Sequence, residues 1–360
     1  VSLPHMTDVV ALAAEMLSIQ SLSGQEHEVI EFVTRWLVKR GWNVSFQEVS
    51  PGRGNVWATR SGSDGAPQGS VAMSTHLDTV PPFLTPRLEE GRLYGRGAAD
   101  AKGIAAAMMA AADRLVTSGE NRVQLLFVVG EEKGSDGARA ANNLPATSRF
   151  LINGEPTESK LASGAKGSLR VIVRTRGKEA HAAYPHLGQS AIEPMLELLP
   201  KVKQLKFPSD PILGEATLNI GVLRGGTEGN IIPGQAEAEV MFRIVSDVEP
   251  IKKQLQQWAA GVAELEWGSH IPPQHFHTVD GFEIEPVAYT SDIPLLGRWG
   301  KPLLFGPGSI HVAHTSDEYV DVAELRASVD TYEKLVRTLL DRRDDAPPAK
   351  SAPSSRKARK

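Results

Sequence analysis

Residues 71–81 read Val-Ala-Met-Ser-Thr-His-Leu-Asp-Thr-Val-Pro. An apolar run long enough for one buried strand ends in His76 and Asp78, and Pro81 closes it. The pattern predicts an interior strand with chemistry-bearing side chains at its carboxyl end. Working outward, residues 123–129 form a second apolar run, and the alanine-rich stretch 103–116 between them is built from good helix formers. Strand-like runs also occur at 44–49 and 55–59. Upstream, Val10, Leu12, Met16 and Leu17, then Val29, Ile30, Val33, Trp36 and Leu37, recur at helical spacing on either side of Ser23-Gly24. They predict two amphipathic helices with a polar break. Strands alternating with helices of this length predict an α/β fold with helices on both faces of the sheet.

The pattern changes after Gly164. Residues 169–175 read as a strand, 190–205 as a helix, 217–223 and 236–244 as strands, and 248–262 as a helix, with a further strand at 264–267. This β-α-β-β-α order makes an α+β unit of about 100 residues, enough for a domain of its own. It is expected as an insertion over 168–273 in a first domain formed by 1–167 and 274–343. Residues 344–360 combine turn formers with Lys350, Arg356, Lys357, Arg359 and Lys360. They are expected to be a disordered tail, because they offer too little apolar surface to offset ordering entropy.

Composition removes several function classes. Across 360 residues, 41% hydrophobic and 23% charged side chains describe a globular chain. A net charge of −4 and a pI of about 6.2 give no basic surplus for a phosphate backbone, so no nucleic-acid partner is expected. With no cysteine, disulfides, thiolate zinc sites and cysteine nucleophiles are excluded, and any metal must be held by His, Asp and Glu. No apolar run is long enough to span a bilayer and no secretory leader is evident, so a cytoplasmic protein without membrane contact is expected.

Five fragments carry chemistry. In Ser74-Thr75-His76-Leu77-Asp78, residues two apart in a strand face the same side, so Asp78 can hydrogen-bond the His76 imidazole and leave its other nitrogen for a metal. Gly95-Arg96-Gly97-Ala98-Ala99-Asp100-Ala101-Lys102-Gly103 opens the alanine-rich helix, where Asp100 is either a helix cap or a ligand. Gly130-Glu131-Glu132-Lys133-Gly134 follows the 123–129 strand, and adjacent carboxylates there point different ways, one able to bind metal while the other takes a proton from water. Glu155 follows another apolar run, and His311-Val312-Ala313-His314 supplies imidazoles late in the chain. Taken singly, each has a bland reading as a solvated surface turn. Together, His, Asp, Glu, Glu and His at strand ends suit two divalent ions, since open α/β sheets site their ligands at the carboxyl ends of strands.

The fragments H-L-D-T-V-P, G-R-G-A-A-D-A-K-G, G-E-E-K-G, G-E-P-T, G-K-E-A-H-A-A-Y-P and A-H-T-S-D-E span about 75–320. In that order they resemble the M20 metallopeptidases, and within them the acetylornithine deacetylase and succinyl-diaminopimelate desuccinylase group. The resemblance implies a mixed-sheet zinc-hydrolase catalytic domain with an inserted α+β, ferredoxin-like lid and dimerisation domain. It implies that His76 and Glu155 bind one ion, Glu132 and His314 the other, and Asp100 bridges them. Glu131 would be the general base, Asp78 would orient His76, and His181 would steady the oxyanion in a partner subunit's site, so a homodimer is expected. Asn230 and Arg243 match substrate-holding positions, and an arginine there suits a substrate carboxylate. Zinc is the expected metal, with cobalt or manganese as alternatives. The expected reaction is hydrolysis of an N-acyl amino acid such as acetylornithine, in amino-acid biosynthesis. Dipeptidase or carboxypeptidase action on short peptides is the alternative, and a non-catalytic binding protein the remote one. His311 competes with His314, and the A-H-T context selects His314. Ser190 departs from the pattern, standing where the family often has asparagine.

Overall fold

The structure, a computed structural model, describes residues 7–60 and 70–342. The expected tail at 344–360 lies outside the described residues. The chain divides into two compact units, one ending at Ser159 and resuming at Leu295, the other running over Lys160–Pro294.

In the first unit six strands form a mixed sheet in the order Asn43–Ser50, Arg53–Thr59, Val123–Val128, Ser70–His76, Ser148–Asn153, Lys301–Leu304. The second strand runs antiparallel to both its neighbours, and the remaining pairings are parallel. Ser70–His76 and Val123–Val128 are buried along their whole length, as interior parallel strands between two helical layers must be. Register matters most for function. His76 pairs with Val128, and Ser74 with Asn153, so the parallel strands end together and release His76, Glu131-Glu132 and Glu155 at one edge of the sheet. The alanine-rich helix Lys102–Thr117 packs against this sheet and against helices Val9–Leu17 and Val322–Asp341. Its small side chains permit that close approach. On the opposite face, Trp57, Ala72, Leu126, Val128 and Leu151 pack with Ala138, Ala141 and Trp299.

A small sheet of Arg87–Glu89, Arg92–Tyr94 and Tyr319–Asp321 joins distant parts of the same unit. Val320 pairs with Leu93, which draws the segment carrying His314 and Glu318 beside the turn that follows Tyr94.

The second unit contains a four-stranded antiparallel sheet in the order Thr217–Gly225, Gln235–Ile244, Gly167–Arg176, Glu264–Ile271. With helices Ile192–Val202 and Val248–Ala259, the chain order is β-α-β-β-α-β, a ferredoxin-like arrangement. Leu169, Val171, Val173, Ala238, Val240 and Phe242 bury one face of the sheet beneath Met195, Leu198, Ile251 and Leu255 of the helices. On the other face, cross-strand pairs such as Arg174 with Glu237 (2.8 Å) and Arg170 with Glu239 (2.5 Å) leave a charged, solvated surface. The unit is wider than the expected insertion at 168–273, because Leu161–Ala165 pairs with Gln274–His275 and Ile284–Val287 in a further small sheet. Strands of two to five residues carry too little periodicity to be read locally. No described helix is long and apolar enough to cross a membrane.

Candidate metal centre

His76 is the last residue of its strand and is fully buried. Its Nδ1 lies 2.9 Å from the main-chain oxygen of Asp78, a group that only accepts, so Nδ1 carries the hydrogen and Nε2 is turned inward. Nε2 stands 3.0 Å from Asp100 Oδ1. The other oxygen of Asp100, Oδ2, is 3.3 Å from His314 Nε2, and the same nitrogen is 2.8 Å from Glu132 Oε1. Asp100 therefore divides its carboxylate between two imidazoles brought from opposite ends of the chain. It is not a helix cap. The cap position of Lys102–Thr117 is Ala101, and it has no side-chain capping bond. Single donor atoms of His76, Asp100 and Glu132 lie within 4.8 Å of one another, the only such three-residue cluster among the described residues.

The electrostatics agree with this geometry. Burial by itself would depress the His76 imidazole, but the carboxylates of Asp100 and Asp78 overcome it and hold the ring well above its ordinary value. Burial would raise Asp100, and His314 and His76 instead hold it well below the usual carboxylate range. The carboxylates of Asp100 and Glu132 lift His314 to about 10. Acids and imidazoles that polarise one another this strongly are a donor set suited to a divalent cation.

The Asp78 carboxylate is more than a partner for His76. Its Oδ1 is 3.6 Å from His76 Nδ1, but it accepts the main-chain N–H of Glu131 at 3.0 Å, while Oδ2 accepts that of Glu132 at 3.2 Å and the Ser23 hydroxyl at 2.7 Å. The turn it holds begins at Gly130, in the left-handed region at φ +72°, where a Cβ would meet Asp136 Oδ1 at 2.2 Å and Arg53 Nη2 at 2.3 Å. A side chain there would have to push that pair aside on a backbone that favours glycine. Arg53 in turn joins Asp136 (2.6 Å) to the fully buried Glu26 (2.7 Å).

Glu155 is buried just past the Ser148–Asn153 strand but is not a member of the three-residue cluster. His314 occupies the left-handed region at φ +64°; it and His311 are both exposed, but His311 has no part in the contacts to Asp100 and Glu132. His181, Asn230 and Arg243 belong to the second unit. There, Ala182 N–H donates to the main-chain oxygen of Asn230 at 2.9 Å and His181 forms a β-bridge with Ile231, so both functional candidates share one exposed turn system. Arg243 is half-buried on its strand, and burial lowers its guanidinium pKa. Pattern reading missed Glu318 and Ser23. Glu318 stood in the A-H-T-S-D-E fragment with no role, and its burial shows only once the chain is folded.

Residues 72–338 match the family described as Peptidase family M20/M25/M40. A peptidase M20 domain-containing protein of Schizosaccharomyces pombe is 37% identical over 344 residues, covering 93% of this chain and 85% of that one. A probable carboxypeptidase of Aspergillus flavus is 37% identical over 377 residues, with 91% and 87% coverage. Among solved structures, the M20 family metallo-carboxypeptidase Sso-CP2 of Sulfolobus solfataricus shares the fold at a TM-score of 0.74 and 19% identity, covering 93% of this chain and 100% of that one.

Proposed function

Because the chain belongs to peptidase family M20/M25/M40, hydrolases of amide bonds, we propose that it cleaves the amide joining an acyl or peptidyl group to an amino acid with a free carboxylate. The observation that carries this is the Asp100 carboxylate split between His76 and His314, with Glu131 beside the Glu132 that meets His314. In this reading His76 and Glu155 would hold one divalent ion, Glu132 and His314 would hold the other, and Asp100 would serve both. Zinc is the first choice for nitrogen and oxygen donors, with cobalt and manganese behind it. When bound, such ions would acidify water and polarise the scissile carbonyl.

Glu131 accepts the proton of the attacking water on a carboxylate oxygen and delivers it to the leaving nitrogen. Asp78 keeps the main chain of both glutamates still during that transfer. His181 steadies the carbonyl oxygen as negative charge develops, which requires a second copy of the chain if it acts across a dimer. A homodimer is part of this reading. Asn230 and Arg243 hold the remainder of the substrate. No acid pairs with the Arg243 side chain among the described residues, which leaves its fork for a substrate carboxylate.

The names of the relatives favour a C-terminal peptide bond, while the motif order favours N-acyl amino acids of the acetylornithine kind as the second reading. Metal-loaded protein assayed on dipeptides and tripeptides, their C-terminal amides, and N-acetyl amino acids including ornithine separates the two. Free-acid substrates should be turned over and amides left intact. Equal rates on both, or hydrolysis insensitive to a chelator, would sink the proposal.

A further inference from the structure

We propose that Glu318 is the positioning residue that fixes Asp100 as the bridge between the two halves of the metal centre; this rests on the metal-centre reading above. Oε1 of Glu318 collects three main-chain N–H groups of one turn, from Gly97 (2.9 Å), Ala99 (3.1 Å) and Asp100 (3.1 Å). Its Oε2 pairs with Arg96 Nη1 at 2.5 Å, and its own main-chain oxygen accepts the Gly95 N–H at 3.0 Å. Both side chains of the pair are essentially without solvent contact.

A buried ion pair made only for stability needs one oxygen facing the guanidinium. Here the second oxygen is saturated by the turn that ends on Asp100. Such a clamp sets the Cα of Asp100, and a carboxylate that must present one oxygen at 3.0 Å to His76 and the other at 3.3 Å to His314 tolerates little displacement. The clamp also sits on the segment that carries His314 itself, anchored by the pairing of Tyr319–Asp321 with Arg92–Tyr94. A single short stretch of chain thus supplies an imidazole to the centre and aligns the acid that faces it.

The test separates the clamp from the ion pair. In R96M/E318Q the charge pair is gone but an amide oxygen still accepts from the turn. In R96M/E318L both are gone. Each purified protein is checked for folding by circular dichroism and titrated with Co²⁺ against a chelator, following stoichiometry, affinity and the visible Co²⁺ spectrum. The leucine variant should bind Co²⁺ about 10–100-fold more weakly with an altered spectrum, the loss typical of removing support behind a ligand, and the glutamine variant should recover most of that loss. If the leucine variant binds as tightly as the unaltered protein, or both variants lose equally, the clamp is refuted. Should R96M/E318L fail to fold, E318D, which keeps the charge but withdraws the oxygen from the turn, should still weaken binding about tenfold, and unchanged affinity there refutes the clamp. No Co²⁺ uptake by the unaltered protein overturns the metal-centre reading and this inference together, whereas normal uptake with indifferent variants overturns this inference alone.

Discussion

The carboxylate of Asp78 accepts the main-chain N–H of Glu131 at 3.0 Å, so a side chain released by one parallel strand pins the turn released by its neighbour. An asparagine at 78 can accept only one of the two N–H groups now received from Glu131 and Glu132, and its amide nitrogen opposes the other. D78N should therefore fold yet lose about 10–100-fold in kcat, with weaker metal binding at the Glu132 side. Steady-state kinetics and metal titration on the same preparation check it, and wild-type kcat would limit Asp78 to a structural part.

Glu131→Gln removes a proton acceptor without removing a proposed ligand. Hydrolysis should fall by at least about 10²-fold while the ion content after dialysis stays at the wild-type level. Ions lost along with activity would make Glu131 a ligand instead.

His311 and His314 lie in one exposed segment, but only His314 Nε2 meets Glu132 at 2.8 Å and Asp100 at 3.3 Å. H314A should lose bound ion and at least about 10²-fold in rate. H311A should stay close to wild type, as surface substitutions generally do. Metal analysis of the two variants side by side decides between them.

Ion uptake should release protons. Asp100 and Glu132 raise His314 from 6.5 to about 10, so its imidazole is charged at neutral pH and must shed a proton to bind a cation. Because the value is raised, affinity should climb as pH increases from 6 toward 9 and fall on acidification. Calorimetric titration at pH 7.5 in buffers of different ionisation enthalpy measures the number of protons released, and a buffer-independent enthalpy would contradict the expectation.

Gly130→Ala places a Cβ against the Arg53–Asp136 pair at a backbone of φ +72°. The left-handed backbone alone costs about 1–2 kcal/mol, and the collision adds to it. The variant should unfold at lower temperature and lose activity, since the displaced residue precedes Glu131. Truncating Asp136 in the same protein should restore part of the melting temperature; a G130A melting curve equal to wild type would show that the turn can relax freely.

Much of this was legible in the chain. The apolar runs at 71–76 and 123–128 and the alanine-rich helix between them announce buried strands and a close-packed helix through local composition, and the α+β unit shows its order through alternating periods. Helix Val322–Asp341 goes unassigned by pattern, although Leu325, Val329, Tyr332, Val336 and Leu339 recur at helical spacing. The small sheet that pairs Val320 with Leu93 leaves no local trace, because three-residue strands draw their stability from partners far along the chain.

The residues themselves dictated the chemistry available: with no thiol anywhere, a cation centre could be built only from imidazole and carboxylate, and those groups stood where apolar runs stop. Which oxygen of Asp100 faces which histidine, why the Asp78 carboxylate turns to the main chain of Glu131 and Glu132, and that Glu318 grips the turn before Asp100 were decided by the folded chain alone. Local periodicity depends on neighbours a few residues away, whereas a 2.8 Å approach between His314 and Glu132, 182 positions apart, exists only when the whole sheet is assembled in register.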